Sequence, residues 1–197
     1  MFLRAADLIG KGVKMKVKDI LSLAALISND EELSGKIEQG SVDATDSEVK
    51  RYLSAYNLVV SELYEYGVKP MKKETLTSES GRYEFADFTV RPSVIKKALY
   101  RGYEVPFEVT DEYVGTNYDE VTFEYIYKPK MATLLTDDAE YADILSKRTL
   151  AYGVAAEKML LCGLFGDAVV MRNRFEEGVS AYTTSKKYNK IKSRSFV

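Results

Sequence analysis

The hydrophobic period changes twice along the chain, and this limits the folds that are available to it. Apolar residues recur at three- and four-residue steps in residues 16–66, alternate with polar residues in residues 72–130, and return to helical steps in residues 137–182. The first spacing indicates amphipathic helices, and alternation indicates strands with one buried face. The stretch VTFEYIYKPK, residues 121–130, alternates most clearly. We therefore predict an α+β fold, a helical bundle with an inserted antiparallel β meander.

The first helical part predicts a hairpin followed by one long helix. Residues 16–28 and the twelve that follow them carry two short apolar stripes. Thr45 and Glu48 have the spacing of a capping box, which predicts that a helix begins there. That helix is expected to run from about residue 46 to residue 66, and Gly67 is expected to end it in the left-handed conformation.

The β excursion contains four strand-like runs, RYEFADFTV, VIKKALY, YEVPFEVT and VTFEYIYKP. Arg101-Gly102 and the sequence GTNYD separate runs and have the composition of hairpin turns. Pro106 interrupts the third run and predicts an edge position or a bulge, because proline cannot donate a ladder hydrogen bond. Residues 82–130 hold 11 of the 23 tyrosines and phenylalanines. Most of these rings are expected in the core or in cross-strand pairs.

The last part of the chain predicts a long helix, a turn and a final helix. Thr136 is a candidate cap for DDAEYADILSKRTLAYGVAAEKMLLCGLF. Gly153 and the alanines after it predict close approach of a neighbouring backbone. Cys162, the only cysteine, lies in an apolar run and is expected to be buried as a small hydrophobe. The sequence LFGD is expected to turn the chain into a helix over about residues 167–182.

Charge is unevenly distributed. The net charge is −2, but no acidic residue follows Glu177, and the remainder of the chain before residue 183 carries about −7. We therefore predict one domain, residues 1–182, and a flexible basic C-terminal arm, residues 183–197. The arm has three possible roles: a solvated terminus, an arm that becomes ordered on an acidic partner, or a nucleic-acid contact. Its basic residues are Lys186, Lys187, Lys190, Lys192 and Arg194.

The residue types exclude several common chemistries. The chain has no histidine and one cysteine, so a Ser-His-Asp triad and an ordinary zinc site are excluded. Neither of the glycine-rich phosphate-binding motifs is present. The acidic pairs at residues 30–32, 137–138 and 176–177 are expected at helix starts or on polar faces. We predict no enzymatic activity, no cofactor and, since no run of about 18 apolar residues occurs, no membrane span.

Some aromatic side chains of the β excursion are candidates for a partner-binding surface. Tyrosine is favoured at protein interfaces, and a thin sheet has little room to bury so many rings. The candidate contact residues are Tyr103, Phe107, Tyr125 and Tyr127, together with the basic residues of the C-terminal arm.

The order of these tracts is similar to that of a known family. The tracts are VKDILSLAALI, VKRYLSAYNLVVSELYEYGVKP, FTVRPSVIKKALYRGYEVPFEVTDEYV, VTFEYIYKP and LSKRTLAYGVAAEKMLLCGLFGDAVVMRNRFEEGVSAY. In this order the chain resembles virion proteins of tailed bacteriophages and prophages, and among them the head-to-tail connector, or adaptor, proteins. The likeness extends from Met15 onward, and AYGVAAEKMLLCGLFGDAVVMRNRF is its most specific part. The chain departs from the family pattern in two ways. It has Met171 and Phe175 in a region where the family pattern has a tryptophan, and residues 1–14 are additional to that pattern.

The resemblance implies a structural role. The connector proteins assemble as a ring below the portal. The expected partners are therefore further copies of this chain and portal or tail proteins. The expected location is the virion, with the bacterial host cytoplasm during assembly. The alternative left open by the residues is a nucleic-acid-associated protein that acts through the basic arm and makes non-specific DNA contacts.

Overall fold

The structure, a computed structural model, describes the backbone of residues 15–188 and the side chains through residue 184. In that range five helices and seven strands in antiparallel sheets confirm the α+β fold. The chain divides into two compact units. The helical unit comprises the described residues up to Val60 and from Met131 onward, and the β unit is Ser61–Lys130. The helices are α1 (Val17–Ile27), α2 (Glu31–Gln39), α3 (Ser47–Glu65), α4 (Lys147–Leu161) and α5 (Phe165–Tyr188).

The predicted hairpin and long helix are present, but the cap of α3 differs from the prediction. The side chain of Asp46 accepts the amide protons of Glu48 and Val49 at 2.9 and 3.3 Å, so Asp46, and not Thr45, caps the helix. The Thr45 hydroxyl instead donates to Asp43. An aspartate beside a threonine competes for the same amides, and here the carboxylate makes the stronger, charge-assisted bonds.

Two buried tyrosines of α3 differ in the state of their hydroxyl groups. The Tyr56 hydroxyl accepts the amide proton of Glu140 at 2.8 Å. Among the described residues, the fully buried Tyr52 hydroxyl has no hydrogen-bond partner. Both rings belong to the core of the helical unit, whose largest other buried side chains are Ile20, Leu21, Ile37, Leu150 and Phe175.

The prediction of helix over residues 137–146 is wrong, because α4 begins only at Lys147. Ser146 is its cap and accepts the Thr149 amide proton at 3.0 Å. Backbone hydrogen bonds instead join the preceding segment to the start of α1, since the Asp137 and Leu135 carbonyls accept the amide protons of residues 17 and 18. Tyr141 has a φ of 63°, which an α-helix cannot contain.

The close approach predicted at Gly153 is present between α4 and α5. A Cβ atom on Gly153 would lie 2.9 Å from the Cδ2 atom of Phe175 and 3.2 Å from a methyl group of Val59. Glycine therefore leaves the space that the Phe175 ring occupies, and that ring is only 2% exposed. The turn between the two helices lies at Cys162–Leu164, earlier than predicted, where Gly163 has a φ of 76°.

The strands of the β unit form two sheets and are not in the consecutive order of a meander. The strands are β1 (Met71–Thr77), β2 (Arg82–Glu84), β3 (Pro92–Tyr100), β4 (Tyr103–Val105), β5 (Glu108–Val109), β6 (Tyr113–Gly115) and β7 (Glu120–Tyr127). One sheet has the order β1-β7-β3-β4, and the other has the order β2-β6-β5. The long strand β7 pairs with β1 on one side and β3 on the other, so the last strand lies in the interior of its sheet.

Pro106 has a larger effect than predicted. It lies between β4 and β5, which belong to different sheets, so the third run is two strands and not one. The predicted turn before β4 is confirmed, because Arg101 and Gly102 both have positive φ values, 50° and 87°, as a type I′ hairpin requires.

Aromatic side chains dominate the core of the β unit. Phe88 lies 5.2 Å from the Tyr125 ring and 5.4 Å from the Phe123 ring, and the Phe123 ring lies 5.0 Å from the Tyr83 ring in an edge-to-face arrangement. The prediction that most of the aromatic residues are core residues therefore holds for these four. The remaining members of this core are Ala98, Val105, Val114 and Val121.

Candidate interaction surface

A cluster of exposed apolar side chains surrounds the turn between α4 and α5. Phe165 is 66% exposed, Leu161 59% and Val169 57%. Apolar residues that are exposed singly are ordinary, but an exposed cluster indicates a contact site. We call this cluster the α4–α5 tip, and its members are Leu160, Leu161, Leu164, Phe165, Val169 and Val170.

The tip is exposed because α5 buries very little of its surface. Among residues 165–184 only Ala168 and Phe175 are buried, seven residues apart on one narrow line of the helix. Phe165, Val169 and Val170 of the first two turns lie off that line and are between 48% and 66% exposed. Burial on one line leaves the rest of this helix available to another protein.

Cys162 lies in the turn between the tip residues Leu161 and Leu164, and the prediction of a buried thiol is wrong. The residue is the C-cap of α4 and is exposed. An apolar run usually indicates core, but the eleven residues of LLCGLFGDAVV contain more apolar side chains than one helix face can bury. That excess is the signal from which the tip could have been predicted.

The four aromatic candidates of the β unit do not form one surface. Tyr103 is 79% exposed and follows the type I′ turn at the edge strand β4. Phe107 and Tyr127 are half-buried and pack against the core. Tyr125 is fully buried, so the prediction that its ring contacts a partner is wrong. Strand β3 separates β4 from β7, so Tyr103 lies about 10 Å across the sheet from the strand of the other two tyrosines.

Tyr125 instead has a structural role with Glu74. Its hydroxyl donates to the Oε2 atom of Glu74 at 2.9 Å, and the Oε1 atom of Glu74 accepts the Thr89 amide proton at 2.9 Å. Burial opposes ionisation of Glu74, but these hydrogen bonds and Lys72 together lower the pKa of this carboxyl group. Burial and the neighbouring carboxylate raise the pKa of Tyr125. This pair links β1, β7 and the segment before β3.

The basic arm lies mostly outside the described residues. Helix α5 continues to Tyr188, six residues beyond its predicted end, so the backbone of Lys186 and Lys187 is helical. The predicted contact residues Lys190, Lys192 and Arg194 lie outside the described part of the chain.

The acidic pairs have structural partners. Asp30 caps α2 by accepting the Leu33 amide proton at 3.3 Å, and Asp138 pairs with Lys16 at 2.7 Å. Glu176 accepts a hydrogen bond from Arg172 at 2.9 Å. In the described residues no group of three His, Cys, Asp or Glu side chains could hold a metal ion. No helix in this range is long and apolar enough to cross a membrane.

A shallow depression of about 610 Å³ lies on the β unit. The guanidinium of Arg82 stacks over the Tyr113 ring at 4.0 Å, and that of Arg91 lies 5.4 Å from the Phe85 ring. Acidic residues line the same depression, so its charge is mixed. Stacked arginines beside aromatic rings are typical of protein contact surfaces, but this arrangement selects no particular ligand.

The chain was compared with protein-family models and with curated protein sequences. No family model matches it, and no curated sequence is significantly similar to it.

Proposed function

We propose that this chain is a structural protein of a tailed-phage virion and forms part of a ring at the head-to-tail junction, below the portal. The observation that carries the proposal is the α4–α5 tip, in which six apolar side chains are between 41% and 66% exposed. Burial of such a cluster against another protein is favourable by about 25 cal/mol for each Å² of apolar surface removed from water. The tip also coincides with the part of the sequence in which the connector resemblance is most specific.

Assembly as a ring requires two different contact patches on each subunit, because a ring contact joins one patch to a different patch on the next copy. The β unit offers candidates for the second patch. The exposed large apolar side chains on its strands are Met71, Val94, Tyr103 and Val109. Tyr103 is the strongest of them, since tyrosine is enriched at interfaces and this ring is largely exposed. In this proposal the protein acts by association, in the virion and before that in the host cytoplasm, and needs no cofactor.

The experiment is electron microscopy of the purified protein, alone and mixed with a tailed-phage portal protein. We expect rings with the wild type and a loss of rings with Phe165→Ser. Tyr66→Ser is the matched control, because Tyr66 is also an exposed aromatic residue, at 71%, beside a helix end but outside the tip. The proposal is contradicted if the wild type forms no rings either alone or with the portal protein. It is also contradicted if the two variants assemble equally well.

The basic arm supports a second candidate, a nucleic-acid-associated protein. Five basic residues and no acidic residue occur in the last fifteen positions. Removal of residues 189–197 takes away three of these charges and keeps every described residue of α5. Arm-dependent DNA affinity that survives about 0.2 M salt would favour this candidate, whereas binding through counterion release alone falls steeply over that range.

A further inference from the structure

Two arginines and one tyrosine converge at the end of the α4–α5 pair that is opposite the tip. The Nε atom of Arg148 donates to the Tyr152 hydroxyl at 2.8 Å, and the Nη1 atom of Arg174 donates to the same oxygen at 2.9 Å. Tyr152 is 9% exposed, whereas both arginines are exposed. The hydroxyl group therefore forms the floor of the cluster, and the guanidinium groups form its rim.

The positive charge of this cluster is not neutralised by the surrounding protein. Neither Arg148 nor Arg174 has a carboxylate within ion-pair distance among the described residues. The nearby Arg172 differs from them, since it pairs with Glu157 at 3.2 Å and with Glu176 at 2.9 Å. A hydrogen bond from Arg174 lowers the pKa of Tyr152 against the effect of burial, and Arg148 adds to this shift. The site therefore favours negative charge at its centre.

The cluster also has unused hydrogen-bond donors. Each guanidinium has five N–H groups and uses one of them on Tyr152, so four remain on each arginine. The Tyr152 oxygen accepts two hydrogen bonds, and its own proton has no acceptor in the described structure. Forked N–H donors and a phenol proton around one point match the oxygens of a single oxoanion.

The surrounding charge favours a carboxylate over nucleic acid as the ligand. Binding to DNA uses a wide basic surface that neutralises several phosphates. Here the two arginines are close in sequence to Asp143, Glu176 and Glu177, and the chain before residue 183 carries about −7. An isolated pair of arginines on such a protein suits one carboxylate group, and the chain itself is rich in these groups.

We propose that Arg148, Tyr152 and Arg174 form a binding site for a single carboxylate group, either a free dicarboxylate or an acidic side chain on a second copy of this chain. The site does not depend on the proposed virion role, because binding of the free dicarboxylate is measured on the isolated chain.

The test is calorimetric titration with glutarate, a mimic of the glutamate side chain, at constant ionic strength. We expect saturable 1:1 binding, weakened about tenfold or more by Arg148→Gln or Arg174→Gln, since each removes charge-assisted hydrogen bonds. Tyr152→Phe is expected to weaken binding less. Arg51→Gln is the matched control, because Arg51 is an exposed helical arginine outside the cluster. Circular dichroism verifies that each variant is folded.

Further measurements distinguish the sources of the carboxylate. Sedimentation at high protein concentration measures the oligomeric state. An oligomer that glutarate dissociates and that Arg174→Gln does not form indicates that the carboxylate is a side chain on a second copy. A monomer that binds glutarate indicates the free ligand instead. Unchanged glutarate affinity in both arginine variants would overturn the proposal, as would the absence of binding. An arginine-dependent affinity for duplex DNA that exceeds the affinity for glutarate would also overturn it.

Discussion

Gly153→Ala tests the packing of α5 on α4, because the added Cβ atom has two opposing effects on the free energy of unfolding. Alanine is favoured over glycine inside a helix by about 1 kcal/mol. The added Cβ atom, however, would lie 2.9 and 3.0 Å from two atoms of the Phe175 ring, closer than ordinary contact. Overpacking of a filled core costs about 1–3 kcal/mol. The net expectation is a free energy of unfolding that is lower by about 0–2 kcal/mol.

The sign of the effect should reverse when the ring is removed. Phe175→Ala alone is expected to cost about 3–5 kcal/mol, because this ring is almost fully buried. In that background Gly153→Ala meets no ring, and the methyl of Val59 can move into the vacated space. The substitution is then expected to stabilise by about 1 kcal/mol.

Urea unfolding of the four proteins in this cycle gives the coupling between the two positions, which we expect to be about 1–3 kcal/mol. Gly35→Ala is the matched control, because Gly35 also lies inside a helix but has no atom within 4 Å of the added Cβ. It should stabilise by about 1 kcal/mol in any background. The same effect of Gly153→Ala with and without the Phe175 ring would refute the packing that we describe.

Three further predictions concern single side chains. Tyr52→Phe removes a buried hydroxyl that has no partner in the described structure, and it should raise the free energy of unfolding. Tyr56→Phe breaks a hydrogen bond and should lower the free energy of unfolding by about 1 kcal/mol. Equal effects of the two substitutions in urea unfolding would contradict this. Asp137→Asn should destabilise by about 1 kcal/mol at pH 7, because asparagine keeps an oxygen acceptor but loses the charge that strengthens the two hydrogen bonds from backbone amides. These bonds lower the pKa of Asp137, so its contribution is fully present above the unfolded pKa of about 4 and is lost as the pH falls through the lower pKa of the folded state. A difference in the free energy of unfolding that is as large at about pH 2 as at pH 7 would be inconsistent with this. Arg174→Gln should raise the pKa of Tyr152, measured by NMR of the labelled ring, and an unchanged pKa would argue against the hydrogen bond.

The parts of the fold that were predicted correctly have signals within a few residues. Period and composition predicted α3, the turn at Arg101-Gly102 and the left-handed Gly67, because each depends on local sequence. The strand order was not predictable in this way. The pairing of β7 with β1 joins residues about fifty apart, and its pairing with β3 joins residues about 23 to 35 apart. Alternation specifies a strand but not its neighbour.

The errors occur where tertiary structure, which no local sequence pattern specifies, decides the position of a segment or side chain. Residues 137–146 have a helical pattern, but the backbone of Asp137 and Ala139 makes hydrogen bonds to the start of α1, and the positive φ of Tyr141 interrupts any helix. An apolar run predicts a buried Cys162, because apolar residues are usually buried, but Cys162 is the C-cap of α4 and lies in an exposed turn. The cluster around Tyr152 was also missed, since the spacing of Arg148 and Tyr152 predicts contact on one helix, while the position of Arg174 depends on how α5 packs.

The most direct test of the central claim uses Cys162, the only cysteine of the chain and an exposed residue of the α4–α5 turn. Its rate of alkylation by a small thiol reagent is measured on the free protein and on the assembled particle. Since we propose that assembly buries the tip, alkylation of the assembled particle should be at least about tenfold slower, a factor that corresponds to about 1.4 kcal/mol. Equal rates in the two states would show that the tip remains exposed and would contradict the account.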